Sequence, residues 1–164
     1  MLTIRLFEAQ DWSLVWPLLQ TTFASGDTYA FAPDSPEADI YQAWIKQPLA
    51  TYVACNAQGD ILGTYILKAN QPGLGGHVSN CGYVVSPAAQ GQGVASQMCE
   101  HSQQEAVKRG FSAMQFNLVV ATNERAVALW QRMGFDIVGT LPGAFRHQKL
   151  GLVDAFVMFK RLVG

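Results

Sequence analysis

The pattern of hydrophobic and polar positions opens with a strand over Leu2 to Phe7. A helix capped by Asp11 follows, in which Leu14, Leu18 and Leu19 recur at helical spacing. Pro17 lies near enough to the start of that helix to be tolerated or to kink it. Ser25 to Pro36, rich in Gly, Asp, Pro and aromatic residues including Tyr29 and Phe31, reads as an irregular loop able to line a substrate pocket. A short helix runs from Pro36 to about Lys46. Ala50 to Cys55 and Ile61 to Lys68 read as strands joined by the turn Asn56-Ala57-Gln58-Gly59-Asp60, which makes them antiparallel neighbours. Beyond the turn at Gln71 to Gly76, a strand from about His77 to Val85 breaks at Ser86-Pro87. A glycine loop then opens a helix that stops at Lys108-Arg109-Gly110, with cations in its last turn and Gly just past it. Met114 to Val120 reads as a strand, Asn123 to Met133 as a helix closed by Gly134, and Phe135 to Leu141 and Val153 to Lys160 as two further strands. The predicted order is β-α-α-β-β-β-α-β-α-β-β, with no internal repeat, low-complexity tract or linker.

At 164 residues the chain is sized for one domain, 1–164, with a real core. Hydrophobic residues make up 49% and charged residues 14%, which excludes intrinsic disorder and predicts a thinly charged surface. Eleven Lys plus Arg against twelve Asp plus Glu give a net charge of −1 with no basic block, so no polycation is available for a nucleic-acid backbone. Arg5, Glu8 and Asp11 interrupt the N-terminus and no stretch approaches ~18 apolar residues. Neither a signal peptide nor a membrane partner is therefore expected, and the reading is cytoplasmic. Cys55, Cys81 and Cys99 fit neither a disulfide framework nor a zinc site and read as free thiols. His77, His101 and His147 lack metal-ligand spacing, so no metal is expected, and His101 beside Glu100 reads as solvated.

The informative segment is Tyr83-Val84-Val85-Ser86-Pro87-Ala88-Ala89-Gln90-Gly91-Gln92-Gly93-Val94-Ala95. The first N–H groups of a helix lack internal partners and lie at the positive end of its dipole, so amides from Gln90 to Ala95 can wrap a phosphate. The plain alternative is an ordinary strand-to-helix turn. In the helix that follows, Ala95, Met98, Cys99, Ser102 and Ala106 form a narrow face of mainly small residues suited to close packing on a sheet.

Gln90, Gly93 and Ala95 resemble the phosphate loop of the GNAT family of N-acetyltransferases. Asn123-Glu124-Arg125-Ala126-Val127-Ala128-Leu129-Trp130, running on to Gly134-Phe135, resembles that family's second signature. The resemblance spans about His77 to Phe135 and implies a single α/β GNAT-type domain whose mixed central sheet, flanked by helices, has splayed parallel strands, here His77 to Val85 and Met114 to Val120. It also implies acetyl-CoA as cosubstrate, bound by Val84, Val85, Gln90, Gly91, Gln92, Gly93, Val94, Ala95, Asn123 and Trp130. A small-molecule amine is the expected acceptor, with a homodimer as an option. His77-Val78-Ser79-Asn80, Phe116-Asn117-Leu118-Val119 and Gly139 to Ala144 are similar to the fungal branch that acetylates azetidine-2-carboxylate and related proline analogues.

Within that frame Asn80 and Asn117 are the candidate catalytic residues, fixing the acceptor's carboxylate, against the plainer reading of exposed or structural strand amides. Asn123 reads as an N-cap that can also touch the cofactor arm. Trp130 stands where many relatives carry a tyrosine acid, and an indole N–H cannot supply that proton, so it reads as a pocket wall. Either Val84 or Val85 would offer an amide to the oxyanion. Cys81 could be imagined as an acyl-carrying nucleophile, but no His is placed to activate it, so direct transfer is favoured. His77 and His147 are conceivable bases. Protein N-terminal or Lys acetylation and a non-catalytic CoA-binding sensor are the alternatives.

Overall fold

The computed structural model describes residues 1–164. The strands are β1 (Thr3–Leu6), β2 (Ala50–Cys55), β3 (Ile61–Ala69), β4 (Val78–Val85), β5 (Ala113–Val120), β6 (Asp136–His147) and β7 (Gly151–Arg161). The helices are α1 (Trp12–Ser25), α2 (Glu37–Tyr41), α3 (Val94–Lys108) and α4 (Glu124–Arg132), and α2 widens into a π-type turn at Gln42–Lys46. The predicted order of elements is the observed one. The strands form one sheet in the order β1-β2-β3-β4-β5-β7-β6, in which only β4 and β5 run parallel.

Each face of the sheet has its own core. Met98, Cys99 and Ala106 of α3 pack on Tyr65, Leu67, Cys81, Met114 and Phe116, with Val127 and Trp130 of α4 against the same cluster. On the other face Val15, Leu19 and Phe23 of α1 and Ile40 and Trp44 of the α2 segment pack on Val53, Ile66 and Val84. A rung of tyrosines binds α3 to three strands: Tyr52, Tyr65 and Tyr83 are register partners across β2, β3 and β4. Their hydroxyls meet Glu105 Oε2 at 3.0 Å, His101 Nδ1 at 2.8 Å and Ser102 Oγ at 2.6 Å. His101 is thus half-buried against Tyr65, not solvated as its charged neighbour suggests, and burial lowers its pKa.

Three further expectations change. Leu14 is 57% exposed, and the buried stripe of α1 is Val15, Leu18, Leu19 and Phe23. Strand β6 continues past Leu141 to His147, because an irregularity between Leu141 and Phe145 absorbs the Pro142-Gly143 pair that would ordinarily end a strand. Asp11 does not cap α1. Its buried carboxylate takes both Arg5 nitrogens at 2.8 and 2.9 Å and the Glu8 amide at 2.7 Å, fastening the β1–α1 connection.

The Asp11 carboxyl is held below its ordinary value, first by the Arg5 hydrogen bonds and then by the Glu8 amide, with burial opposing both. A lowered native pKa contributes stability that is complete above the unfolded value of ~3.9 and is lost as pH falls through the native one. Asp11→Asn should therefore cost about 1–3 kcal/mol at pH 7, a range that allows for screening of the partly exposed Arg5. Urea unfolding of both proteins from pH 7 to pH 3 should show the gap closing below about pH 4; a gap independent of pH would show that the charge is irrelevant.

Candidate active site

Strands β4 and β5 pair only at Val78↔Ala113 and Ser79↔Met114, with Ser79 Oγ donating to the Ala113 carbonyl at 2.9 Å. Past that point Asn80–Val85 and Gln115–Val120 run on without pairing to each other, and β5 shifts register against β7 between Phe116 and Val119. The gap opens into a cleft of about 990 Å³, walled by β4, β5, the loop before α3, one face of α4 and the Tyr29–Phe31 segment.

Hydrogen bonds at the two ends of the β3–β4 ladder fix which way β4 presents its backbone. Ser86 N–H donates to Leu62 at 2.7 Å and Asn70 N–H donates to Val78 at 2.8 Å. Bonded pairs alternate in an antiparallel ladder, so the even-numbered residues of β4 face β3, while Cys81, Tyr83 and Val85 aim their N–H and C=O groups at the gap. The amide of Val84 is therefore turned away, and Val85 and Tyr83 carry the donors. Tyr29 Oη donates to the Tyr83 carbonyl at 2.8 Å, and it reaches that far because residue 82 is glycine: a Cβ there would lie 3.0 Å from the hydroxyl.

At the end of β4 the chain turns through Gly91 (φ 80°) and Gly93 (φ 78°) before α3 begins at Val94. Both lie in the left-handed region that side chains disfavour, which is why the loop needs glycine there. The amides of Gly91, Gly93, Val94, Ala95 and Ser96 make no backbone hydrogen bond, and no acidic residue lies in the first turn of α3. Gln92 differs: its amide is bonded to Ala89 at 3.3 Å and its side chain reaches the Ala88 carbonyl at 3.4 Å. Gln90 reaches back to the Val85 carbonyl at 3.4 Å. Arg125 and Arg132, one face of α4, also line the cleft. Open amides at a helix start together with two guanidinium groups suit a multiply charged phosphate ester such as acetyl-CoA.

The model of the acetyltransferase (GNAT) family matches residues 12–135. This chain belongs to the GNAT family. A GCN5-related N-acetyltransferase from Kribbella flavida is 37% identical, with a TM-score of 0.92 over 98% of this chain and 97% of that one. N-acetyltransferase aca1 of Schizosaccharomyces pombe is 35% identical over 100 residues, 59% of this chain and 47% of that protein, so the match spans less than half of its length. A phosphinothricin acetyltransferase from Sinorhizobium meliloti, solved in complex with AcCoA, shares the fold at a TM-score of 0.87 and 17% identity, over 99% of this chain and 89% of that one. The family match and the Kribbella flavida structure both point to the acetyl-CoA-dependent N-acetyltransferases as the proteins this chain is similar to.

Of the remaining candidates in this GNAT domain, Asn80, Asn117, Asn123 and Trp130 line the cleft. Asn123 caps α4 through Oδ1, which accepts from Ala126 N–H at 3.4 Å, and the residue also lines the cleft. Trp130 packs on Tyr83 and Phe116, with ring centroids 5.0 and 5.1 Å away. Asn80 is half-buried in the cleft wall, whereas Asn117 is exposed, accepting from Gln115 at 2.9 Å and donating to Asn70 at 2.7 Å. Cys81 lines the cleft, but burial pushes its thiol up to about 12, which leaves it protonated and a poor nucleophile. His77 and His147 lie outside the cleft, and His147 Nδ1 accepts the Lys149 and Leu150 amides at the β6–β7 turn. Sequence reasoning missed Tyr83, Arg125, Arg132 and Lys68. Strand alternation could have pointed to Tyr83, because it shares its phase with Val85.

Gly93→Ala should fold with a penalty of about 1–2 kcal/mol for its left-handed backbone, since a Cβ there meets nothing closer than 3.7 Å. Gly93→Asp should fold equally well but lose CoA affinity by more than about 100-fold, because a carboxylate would stand in the amide cradle. Calorimetric titration of both variants, alongside thermal unfolding, tests this; wild-type affinity in a folded Gly93→Asp protein would remove the cradle assignment.

Proposed function

We propose that this protein transfers acetyl from acetyl-CoA to a small amine that carries a carboxylate, with proline analogues such as azetidine-2-carboxylate as representative acceptors. One observation carries the reading: the cleft is lined by Lys68, Arg125 and Arg132 and by not one Asp, Glu or His. Anions are favoured there on both sides of the gap, and a cationic peptide or polyamine finds no counter-charge. Asn80 and Asn117 offer amide donors to the acceptor's carboxylate, and Tyr29 and Phe31, stacked at 6.4 Å, offer apolar surface to a small ring.

Acetyl-CoA supplies an activated acyl group whose thiol, with a pKa near ~8.5, departs as thiolate without a dedicated acid. The chain's part is to hold and align the two reactants. The open amides of Gly91 and Gly93 to Ser96 hold the pyrophosphate, and the gap-facing amides of Tyr83 and Val85 donate to the oxygen that gains charge as the amine attacks. Trp130 contributes a wall. With no carboxylate or imidazole within the cleft, the amine must arrive neutral or lose its proton to water.

The three buried thiols agree with a reducing, cytoplasmic setting, and no helix is long and apolar enough to cross a membrane. Exposed Ile137, Val138, Leu141, Leu150 and Leu152 on the β6–β7 hairpin support self-association as a homodimer.

A thiol-release assay across cyclic imino acids, amino acids, their carboxamides and N-terminal or lysyl peptides should show turnover concentrated in the carboxylate-bearing acceptors. Preference for peptides would replace this reading with protein acetylation, and CoA binding without turnover would replace it with a sensor. An ammonium with a pKa near ~10 is about one part in a thousand neutral at pH 7, so kcat/KM should rise about tenfold per pH unit from pH 7 to 9. A plateau setting in below pH 8 would reveal a base on the enzyme. Trp130→Phe should keep kcat within about tenfold, whereas a loss beyond ~10²-fold, the range of a lost acid or base, would place the indole in the chemistry.

A further inference from the structure

Lys68, exposed on β3 directly opposite Asn80 of β4, is one of the residues that line the cleft. The phase of the ladder separates it from the other two cations. It shares its sheet face with Ile66, which packs with α1 and α2, whereas α4, bearing Arg125 and Arg132, packs with α3 on the opposite face. Lys68 therefore stands on the side of the gap away from the amide cradle, close to Asn70, whose Oδ1 receives the Asn117 amide at 2.7 Å. The chain's own ion pairs join Arg5 to Glu8 and Asp11, and Lys108 to Glu105. Lys68 takes part in none of them. An exposed cation with no internal ion-pair partner, at a cleft without a carboxylate, is free to pair with an anion that enters.

We propose that Lys68 is the specificity-determining charge of the acceptor side, pairing with the carboxylate of an amino or imino acid while Asn80 hydrogen-bonds the same group. This rests on the small-acceptor reading above and adds to it a division of labour. Amide donors alone orient a carboxylate without distinguishing it strongly from a carboxamide, since both offer carbonyl oxygens, whereas an ammonium distinguishes them by charge.

The test compares kcat/KM for azetidine-2-carboxylate and proline with that for their carboxamides, in wild type and in Lys68→Met, Lys68→Arg and Lys68→Glu. Comparing the carboxylate-to-carboxamide ratio between proteins cancels the difference in amine basicity between the two acceptors. Lys68→Met should lower the ratio about 5- to 50-fold, mainly through KM for the carboxylates, the range for a charge-assisted hydrogen bond in a partly solvated site. Lys68→Arg should keep most of the ratio, and Lys68→Glu should invert the preference. Calorimetric CoA binding by each variant shows that the fold and the cradle are intact. Wild type turning over the carboxylates with a ratio unmoved by Lys68→Met or Lys68→Glu overturns the assignment while leaving the small-acceptor reading in place. Wild type turning over no carboxylate acceptor overturns both.

Discussion

Parallel strands β4 and β5 stop pairing after two residues each, and every functional feature of the molecule follows from how that broken ladder is completed. A backbone carbonyl without a partner in a half-buried cleft costs about 1–3 kcal/mol. The chain answers at Tyr83 with the hydroxyl of Tyr29, and at Val85 with the side chain of Gln90, the residue that begins the glycine loop. These two acceptors are thereby satisfied while the Tyr83 and Val85 donors are left open. The gap consequently offers open N–H groups at Tyr83 and Val85, the polarity suited to the oxygen of a thioester as it gains negative charge.

Keeping the gap in register with the phosphate cradle is a second mechanical problem, since one belongs to a strand and the other to a helix. The tyrosine rung solves it. Ser102 Oγ donates to the Cys99 carbonyl at 2.7 Å, so Tyr83 must be the donor in its 2.6 Å contact with Ser102, and α3 is fastened to the strand whose next residues form the cradle. Tyr52 stacks on Tyr65 at 4.7 Å and Tyr65 lies 5.6 Å from Tyr83, so the fastening extends across three strands. At about 1 kcal/mol for each hydrogen bond and about 0.5–1.5 kcal/mol for each ring pair, the rung outweighs the thermal energy available to slide α3 along the sheet. Burial holds the Tyr65 and Tyr83 phenols far above their ordinary range, so both remain protonated at physiological pH and serve as struts.

The order of elements was legible because helical spacing, turn residues and the glycine loop agree with one another, and Gly93 and Asn123 announce the two signatures at their correct separation. What escaped was set by tertiary structure. Asp11 has the chemistry of a cap, yet Arg5 offers it two hydrogen bonds that an isolated helix start cannot, and the cap is forgone. His101 looks solvated beside Glu100 until Tyr65 of another element is brought to its ring. The facing of Val84 away from the gap depends on ladder phase, which is fixed by pairing and is invisible in two adjacent valines. Lys68 drew no notice because a lysine near a strand end is ordinary in sequence and acquires meaning only opposite Asn80.

A cleft lined by no carboxylate or imidazole leaves the proposed acyl transfer to rely on the reactants' own proton affinities. A thiolate leaving group is stable enough near neutrality to depart unaided, so the inability of Trp130 to supply a proton is no obstacle to the proposed transfer. The attacking amine poses the harder problem, because most of it is protonated at pH 7 and a protonated nitrogen has no lone pair to donate. Here the charges of the cleft act together. Cations near an ammonium favour its neutral form, so Lys68, Arg125 and Arg132 bias the bound acceptor toward the reactive species, whereas an acidic residue in the same wall would bind the ammonium more tightly and hold it unreactive. Binding a carboxylate beside Lys68 weakens that bias on the acceptor side, which leaves the α4 arginines as its steadier source until they too are paired with phosphate. Electrostatics in this site therefore favours a neutral nitrogen over a tightly held cation, which agrees with the proposed acceptor, an amine that carries its own anion.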